Sequence, residues 1–139
     1  MHSKKIKTFF EEVEQAGNSL DLALTDSQYE DQFIFANPDG SQVVEKQKFL
    51  AALPKRHEFF KSLGHQSTRI LSVDETRLDE QYTMVKAQFL MQFRRPSGQL
   101  VETEVDSIYI LFLKGDSPKI VMQIEHEDLQ EAMKARGLL

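Results

Sequence analysis

Between Glu80 and Leu113 two long runs of alternating residues meet at Pro96-Ser97-Gly98, and this short turn sets the register of everything beside it. Proline pre-sets the backbone of the first turn position, and glycine takes the left-handed conformation of a bulge, so the segment predicts a three-residue hairpin. With Arg95 opposite Gln99, Phe93 meets Val101, Met91 meets Thr103, Phe89 meets Val105, Ala87 meets Ser107 and Val85 meets Tyr109. That face is mostly apolar and must look inward. On the other face Gln92 meets Glu102, Leu90 meets Glu104 and Gln88 meets Asp106, as expected where a sheet meets water.

Farther from the turn the outer face changes character. Lys86 falls opposite Ile108, Met84 opposite Ile110 and Tyr82 opposite Phe112, so one end of the sheet is apolar on both sides. An exposed apolar patch of this kind marks an interaction surface, and a symmetric homodimer is its commonest cover. A homodimer through Tyr82, Met84, Ile108, Ile110 and Phe112 is therefore expected. The alternative cover is a terminal helix, whose apolar stripe would be Leu129, Ala132, Met133 and Leu138, ended by Gly137.

Upstream the period is helical. Ile6, Phe9, Phe10, Val13, Ala16 and Leu20 recur at steps of three and four with glutamates between them. Gly17-Asn18-Ser19 predicts a break, with Ser19 capping a second helix that carries Ala23 and Leu24. From Tyr29 the period becomes two, with Tyr29, Phe33 and Phe35 on one face, until Asn37-Pro38-Asp39-Gly40 makes a turn. Val43-Val44 reads as a short return strand, followed by a helix with Phe49, Leu50 and Leu53 that Pro54 ends or restarts. His57, Phe59, Phe60 and Leu63 keep helical spacing up to Gly64, a natural left-handed terminator. Strands are then expected over 66–75, 80–95, 99–113 and 119–125.

At 139 residues the chain is expected to form one domain, 1–139, with a core of its own. It has no cysteine, which removes disulfides, thiolate metal sites and cysteine nucleophiles and suits a reducing compartment. The first residues lead into an amphipathic pattern rather than an apolar run, so neither a signal peptide nor a membrane span is expected, and the expected location is cytoplasmic. The net charge of −5, with 17 basic residues mostly scattered among 22 acidic ones, argues against a nucleic-acid partner.

A helix pair, a strand closing on Asn-Pro-Asp-Gly, a further helix and a long meander together resemble the nuclear transport factor 2-like superfamily over nearly the whole chain. The most specific segment is residues 29–53, YEDQFIFANPDGSQVVEKQKFLAAL, which looks like small SnoaL-like domains. The resemblance implies an α+β, cystatin-like cone. N-terminal helices pack in the concave face of a strongly bent antiparallel sheet around a cavity, a C-terminal helix is added, and many members are dimers. It spans ketosteroid isomerase, scytalone dehydratase and polyketide cyclases beside members without catalysis, so the fold does not select a function. The isomerase pattern has an aspartate base before the turn, where this chain has Asn37, and a tyrosine on the first helix, where it has Phe9 and Phe10. Tyr109 is the nearest match to its strand donor. An amide cannot accept a proton as a carboxylate does, which argues against an enolising isomerase of that type.

The residues expected to line the cavity are Phe33, Phe35, Asn37, Phe89, Met91, Tyr109 and Gln123. Tyr109 is the best polar candidate, since a buried phenol can donate to a ligand carbonyl; its plainer role is a core ring with its hydroxyl at the rim. Asn37 is above all a turn former. If Gln123 lies beside Tyr109, then Gln123 and Glu125 face the cavity, and Ile120, Met122 and Ile124 join the outer patch. Glu125 would carry protons if enclosed and be a solvated acid at the rim. His126-Glu127-Asp128 are consecutive across a strand-to-helix join and do not converge on a metal; Asp128 suits a first helical turn. His57 reads as surface, and neither His2 nor His65 has a partner spacing. Residues 115–118 read as a hairpin loop. No metal and no cofactor are expected.

Three functions follow. The first is a domain that binds a small hydrophobic molecule without turnover. The second is a polyketide-cyclase, dehydratase or isomerase-like enzyme in which Tyr109 works with Glu125 or Asp31. The third is an assembly domain whose cavity is filled by its own side chains.

Overall fold

The structure is a computed structural model that describes residues 4–113, 115, 117–127 and 129–137. The expectations for His2, Asp116, Asp128 and Leu138, and for the side chains of Leu129 and Ala132, lie outside the described residues. In chain order the elements are α1 (Lys4–Ser19), α2 (Leu22–Gln28), β1 (Tyr29–Asn37), β2 (Gly40–Glu45), α3 (Lys46–Ser62), β3 (His65–Arg77), β4 (Tyr82–Arg94), β5 (Leu100–Phe112), β6 (Lys119–Glu125) and α4 (Leu129–Ala135). No helix among the described residues is long and apolar enough to cross a membrane.

The six strands form one sheet in the order β2-β1-β6-β5-β4-β3. The hairpin register read from Pro96-Ser97-Gly98 is present pair for pair, from Phe93 opposite Val101 to Tyr82 opposite Phe112. Gly98 N donates to Arg95 O at 2.8 Å and Arg95 N to Gln99 O at 2.8 Å, closing the turn. Antiparallel pairing holds throughout except where β1 lies parallel to β6. That exception follows from topology, because the helix and the meander return the last strand to the free side of the first hairpin.

The apolar faces of α1 and the sheet meet in the concave core. Ile6, Phe9 and Phe10 pack with Tyr29, Phe33, Val73, Val85, Ala87, Tyr109, Leu111 and Ile120, all buried. Side chains of α1 also complete the edge strand β3. Asn18 Nδ2 donates to Thr68 O and Asn18 Oδ1 accepts from Thr68 N, each at 2.9 Å, while Glu14 Oε1 accepts from Ile70 N at 2.7 Å. Polar groups of a helix thus satisfy strand backbone that would otherwise be an open edge.

Local details depart from expectation in three places. Gly17-Asn18-Ser19 does not break α1: Ser19 Oγ bonds back to Gln15 O at 2.8 Å, the reversal falls at Leu20 with φ 54°, and Asp21 is the cap of α2, accepting from Leu24 N at 3.0 Å. Pro54 neither ends nor restarts a helix but lies inside α3, on its exposed side. In β6, Leu111 pairs with Ile120 and Ile110 with Met122, so Val121 is an extra residue. This bulge turns Ile120 into the core, where it is fully buried, and leaves Met122 and Ile124 opposite Ile110 and Ile108. The expected Ile120, Met122, Ile124 row on the outer face therefore loses its first member.

The C-terminal helix does not supply the outer cover through Met133. That side chain is fully buried against Met91 and Phe93, with Phe60, Leu63 and Val105 around it, on the concave side. It extends the packed core along β4 and β5.

Candidate functional site

Where the curved sheet separates from the helices it leaves a cavity of about 540 Å³. The ends of α1 and α2 contribute Val13, Ala16, Thr25 and Gln28, and α3 contributes Phe49, Leu53, Arg56 and Phe60. The sheet contributes Tyr29 and Phe35 from β1, Phe89 and Met91 from β4, Ser107 and Tyr109 from β5, and Gln123 and Glu125 from β6. The inward period of β4 and β5 fills most of this wall with rings and thioethers. The polar exceptions cluster at one place, because the Val121 bulge brings Gln123 opposite Tyr109 and Glu125 opposite Ser107.

These polar groups form one chain of bonds. Tyr29 Oη donates to Gln123 Oε1 at 2.8 Å, Gln123 Nε2 donates to Glu125 Oε1 at 2.6 Å, and Ser107 Oγ donates to Glu125 Oε2 at 2.6 Å. Burial pushes the Tyr29 phenol far above its ordinary value; the Arg56 guanidinium opposes this and the Glu125 charge adds to it. Burial likewise raises Tyr109 well above the ordinary value, with Tyr29 and Glu125 adding to the shift. Both phenols therefore stay protonated. A neutral phenol in an apolar wall can donate a hydrogen bond or accept one, and cannot act as a base at neutral pH.

At the rim Arg56 lies 5.4 Å over the Phe60 ring. His65 is half-buried, its ring tilted against Phe60 and Phe93, with Nε2 2.8 Å from Thr68 Oγ1. Its pKa is held below the ordinary value, first by burial and then by the nearby His57. Among the described residues no three histidine, aspartate or glutamate side chains are placed to hold a metal ion.

Of the residues expected at the site, Phe35, Asn37, Phe89, Met91, Tyr109, Gln123 and Glu125 stand on the cavity wall. Asn37 also makes the turn, its Oδ1 accepting from Asp39 N at 2.9 Å. Two expectations are corrected. Phe33 lies in the packed core, 2% exposed between Tyr29 and Phe49, and does not line the cavity. Asp31 points to solvent and pairs with Lys46 at 3.3 Å, so it cannot serve Tyr109 as a proton carrier. The buried Lys46 amine also bonds the carbonyls of Asp26 and Tyr29, which explains a lysine at the start of α3.

Tyr29, Ser107, Gln28, Arg56 and His65 were not anticipated, and His57, read as surface, is half-buried on the wall. Tyr29 and Ser107 were legible as inward positions of their strands. Gln28, Arg56, His57 and His65 owe their place to how α2, α3 and the start of β3 meet, which no local period reports.

No family model matches the chain, and no curated protein matches it. Solved structures do. An NTF-2-like protein of unknown function from Shewanella oneidensis is 18% identical at a TM-score of 0.69, over 91% of this chain and 100% of that one. The beta subunit of the benzoate 1,2-dioxygenase from Burkholderia mallei is 15% identical at 0.72, over 94% and 93%. An NTF2-like protein with a cystatin-like fold from Novosphingobium aromaticivorans is 14% identical at 0.72, over 98% and 87%. The chain has the nuclear transport factor 2-like, cystatin-like fold.

Proposed function

We propose that this nuclear transport factor 2-like cone is a binding domain for a small, largely apolar molecule. The observation that carries the reading is the cavity of about 540 Å³, a volume within the ordinary range for small-molecule sites, walled by Phe35, Phe49, Phe89 and Met91 with the hydrogen-bonded Ser107, Gln123 and Glu125 among its polar groups. The similar structures include a protein of unknown function and an oxygenase beta subunit, so their likeness leaves the ligand open. An assembly domain with a filled cavity is disfavoured by the same volume.

A second reading, an acid-base enzyme, is favoured by one specific observation. Glu125 stands on the cavity wall, hydrogen-bonded to Ser107, two residues before Tyr109 on the inward face of β5. In that role Glu125 would move the proton and the neutral Tyr109 phenol would hold a developing oxyanion.

The domain is further proposed to work as a homodimer through the outer face of the sheet. Tyr82, Met84, Ile108, Ile110 and Phe112 form a patch there that Met122, Ile124 and the exposed Ile34 extend across β6 and β1.

Native mass spectrometry of protein purified from cells tests the main reading, with a gentle and then a denaturing spray. An added small mass lost on denaturation supports it, and Tyr109→Phe should then lower the occupancy. Bare chain mass, together with no uptake of neutral apolar dyes, would sink it. Incubating the released compound with fresh protein separates the two readings, because only an enzyme changes its mass or its chromatographic position.

A further inference from the structure

The bonds of the polar wall all run toward Glu125. Tyr29 donates to Gln123, and Gln123 and Ser107 donate to the carboxylate. A hydroxyl has one proton, and those of Tyr29 and Ser107 are engaged. A carboxylate offers about four lone-pair positions, of which two are taken here. What Glu125 turns to the cavity is thus unshared lone pairs and a negative charge, beside the Tyr109 hydroxyl.

Carboxylates outnumber the one arginine on the wall. Glu14 lines the cavity with one oxygen on Ile70 N, and Glu127 at the rim pairs with Arg136 at 3.9 Å. Arg56 is exposed and lies over the Phe60 ring. His65, held below its ordinary pKa by burial, adds no charge at neutral pH. Around the acidic wall stand Phe35, Phe49, Phe89 and Tyr109, whose ring faces attract cations.

We propose that the cavity takes a mostly apolar organic amine, with its ammonium group at Glu125. This rests on the reading of the cavity as a binding site. Calorimetric titration of the full chain with phenylbutylamine, phenylbutanol and phenylbutyrate tests it, since the three share a body and differ in the end group. The amine should bind about tenfold more tightly than the alcohol, with the carboxylate weakest. Glu125→Gln should bring the amine-to-alcohol ratio to about one. Carboxylate binding as tight as the amine, or an amine preference that survives Glu125→Gln, would overturn the proposal. If neither the alcohol nor the neutral dye N-phenylnaphthylamine enters the natural chain, the binding reading itself fails. If both enter and the amine has no advantage, only the ligand class is wrong.

Discussion

Ser107 and Glu125 face each other across β5 and β6, and the serine hydroxyl donates to Glu125 Oε2 at 2.6 Å. Ser107 is 2% exposed, so no water can replace that donor without rearrangement. Ser107→Ala should destabilise the fold by about 1.5–3 kcal/mol, the usual range for a hydrogen bond to a charged group. Urea unfolding of Ser107→Ala, Glu125→Gln and the double variant measures the coupling. Strictly additive effects would show that the pair does not act as a unit.

Gly64 and Gly98 share a left-handed backbone, with φ of 91° and 90°, in very different surroundings. A Cβ on Gly64 would overlap the Arg94 carbonyl oxygen, and Arg94 N donates to Gly64 O at 2.7 Å, so that approach cannot be relaxed cheaply. Nothing lies within 4 Å of a Cβ on Gly98. Gly98→Ala should cost about 1–2 kcal/mol from backbone strain alone. Gly64→Ala should cost more than about 4 kcal/mol or yield no folded protein. Equal unfolding midpoints for the two variants would contradict the close packing of the α3–β3 corner against β4.

Gln28→Leu should stabilise the empty protein by about 1 kcal/mol, because it replaces an unpartnered buried amide with a side chain that needs no partner. Thermal unfolding checks this. A loss of stability would mean that the amide has a partner in solution.

His65 gives the fold a pH dependence of defined sign. Its folded pKa lies below the ordinary value of 6.5. The unfolded chain therefore takes up the proton first as pH falls. The stability contributed by the neutral ring is complete above about pH 6.5 and is lost progressively below it. The urea midpoint should drop between about pH 7.5 and pH 5.5, and His65→Asn should show a smaller drop. An unchanged slope in that variant would assign the effect to other groups.

The outer patch makes the assembly testable. Ile110→Asp places a charge at its centre, opposite Met84 and Met122. Sedimentation should give twice the chain mass for the natural protein and the single chain mass for the variant, with the same circular dichroism. A natural chain that stays monomeric at high concentration would remove the proposal.

Much of the sheet was legible because its signals are local. A proline and a glycine at one turn set thirteen opposed pairs between β4 and β5, and a slip of one residue would have moved every side chain to the wrong face. The candidate site was legible only along the strands. Tyr109, Phe89 and Met91 follow from period two, whereas Gln28, Arg56 and His65 enter from elements whose meeting depends on packing. Phe33 and Asp31 were misplaced for the same reason: period and composition give a face, and the neighbouring α3 decides whether that face is core, cavity or solvent.

Residue order alone determined the α+β pattern, the central hairpin register and the two-sided apolar end of the sheet, because steric turn preferences and side-chain alternation act between near neighbours. Tertiary structure decided the rest. The Val121 bulge reversed Ile120 and brought Gln123 and Glu125 to the cavity, and a helix side chain, Met133, extended the concave core instead of covering the outer face. A bulge and a docking choice are both resolved by the summed burial of distant surfaces, a quantity that exists only once the chain has closed around its core.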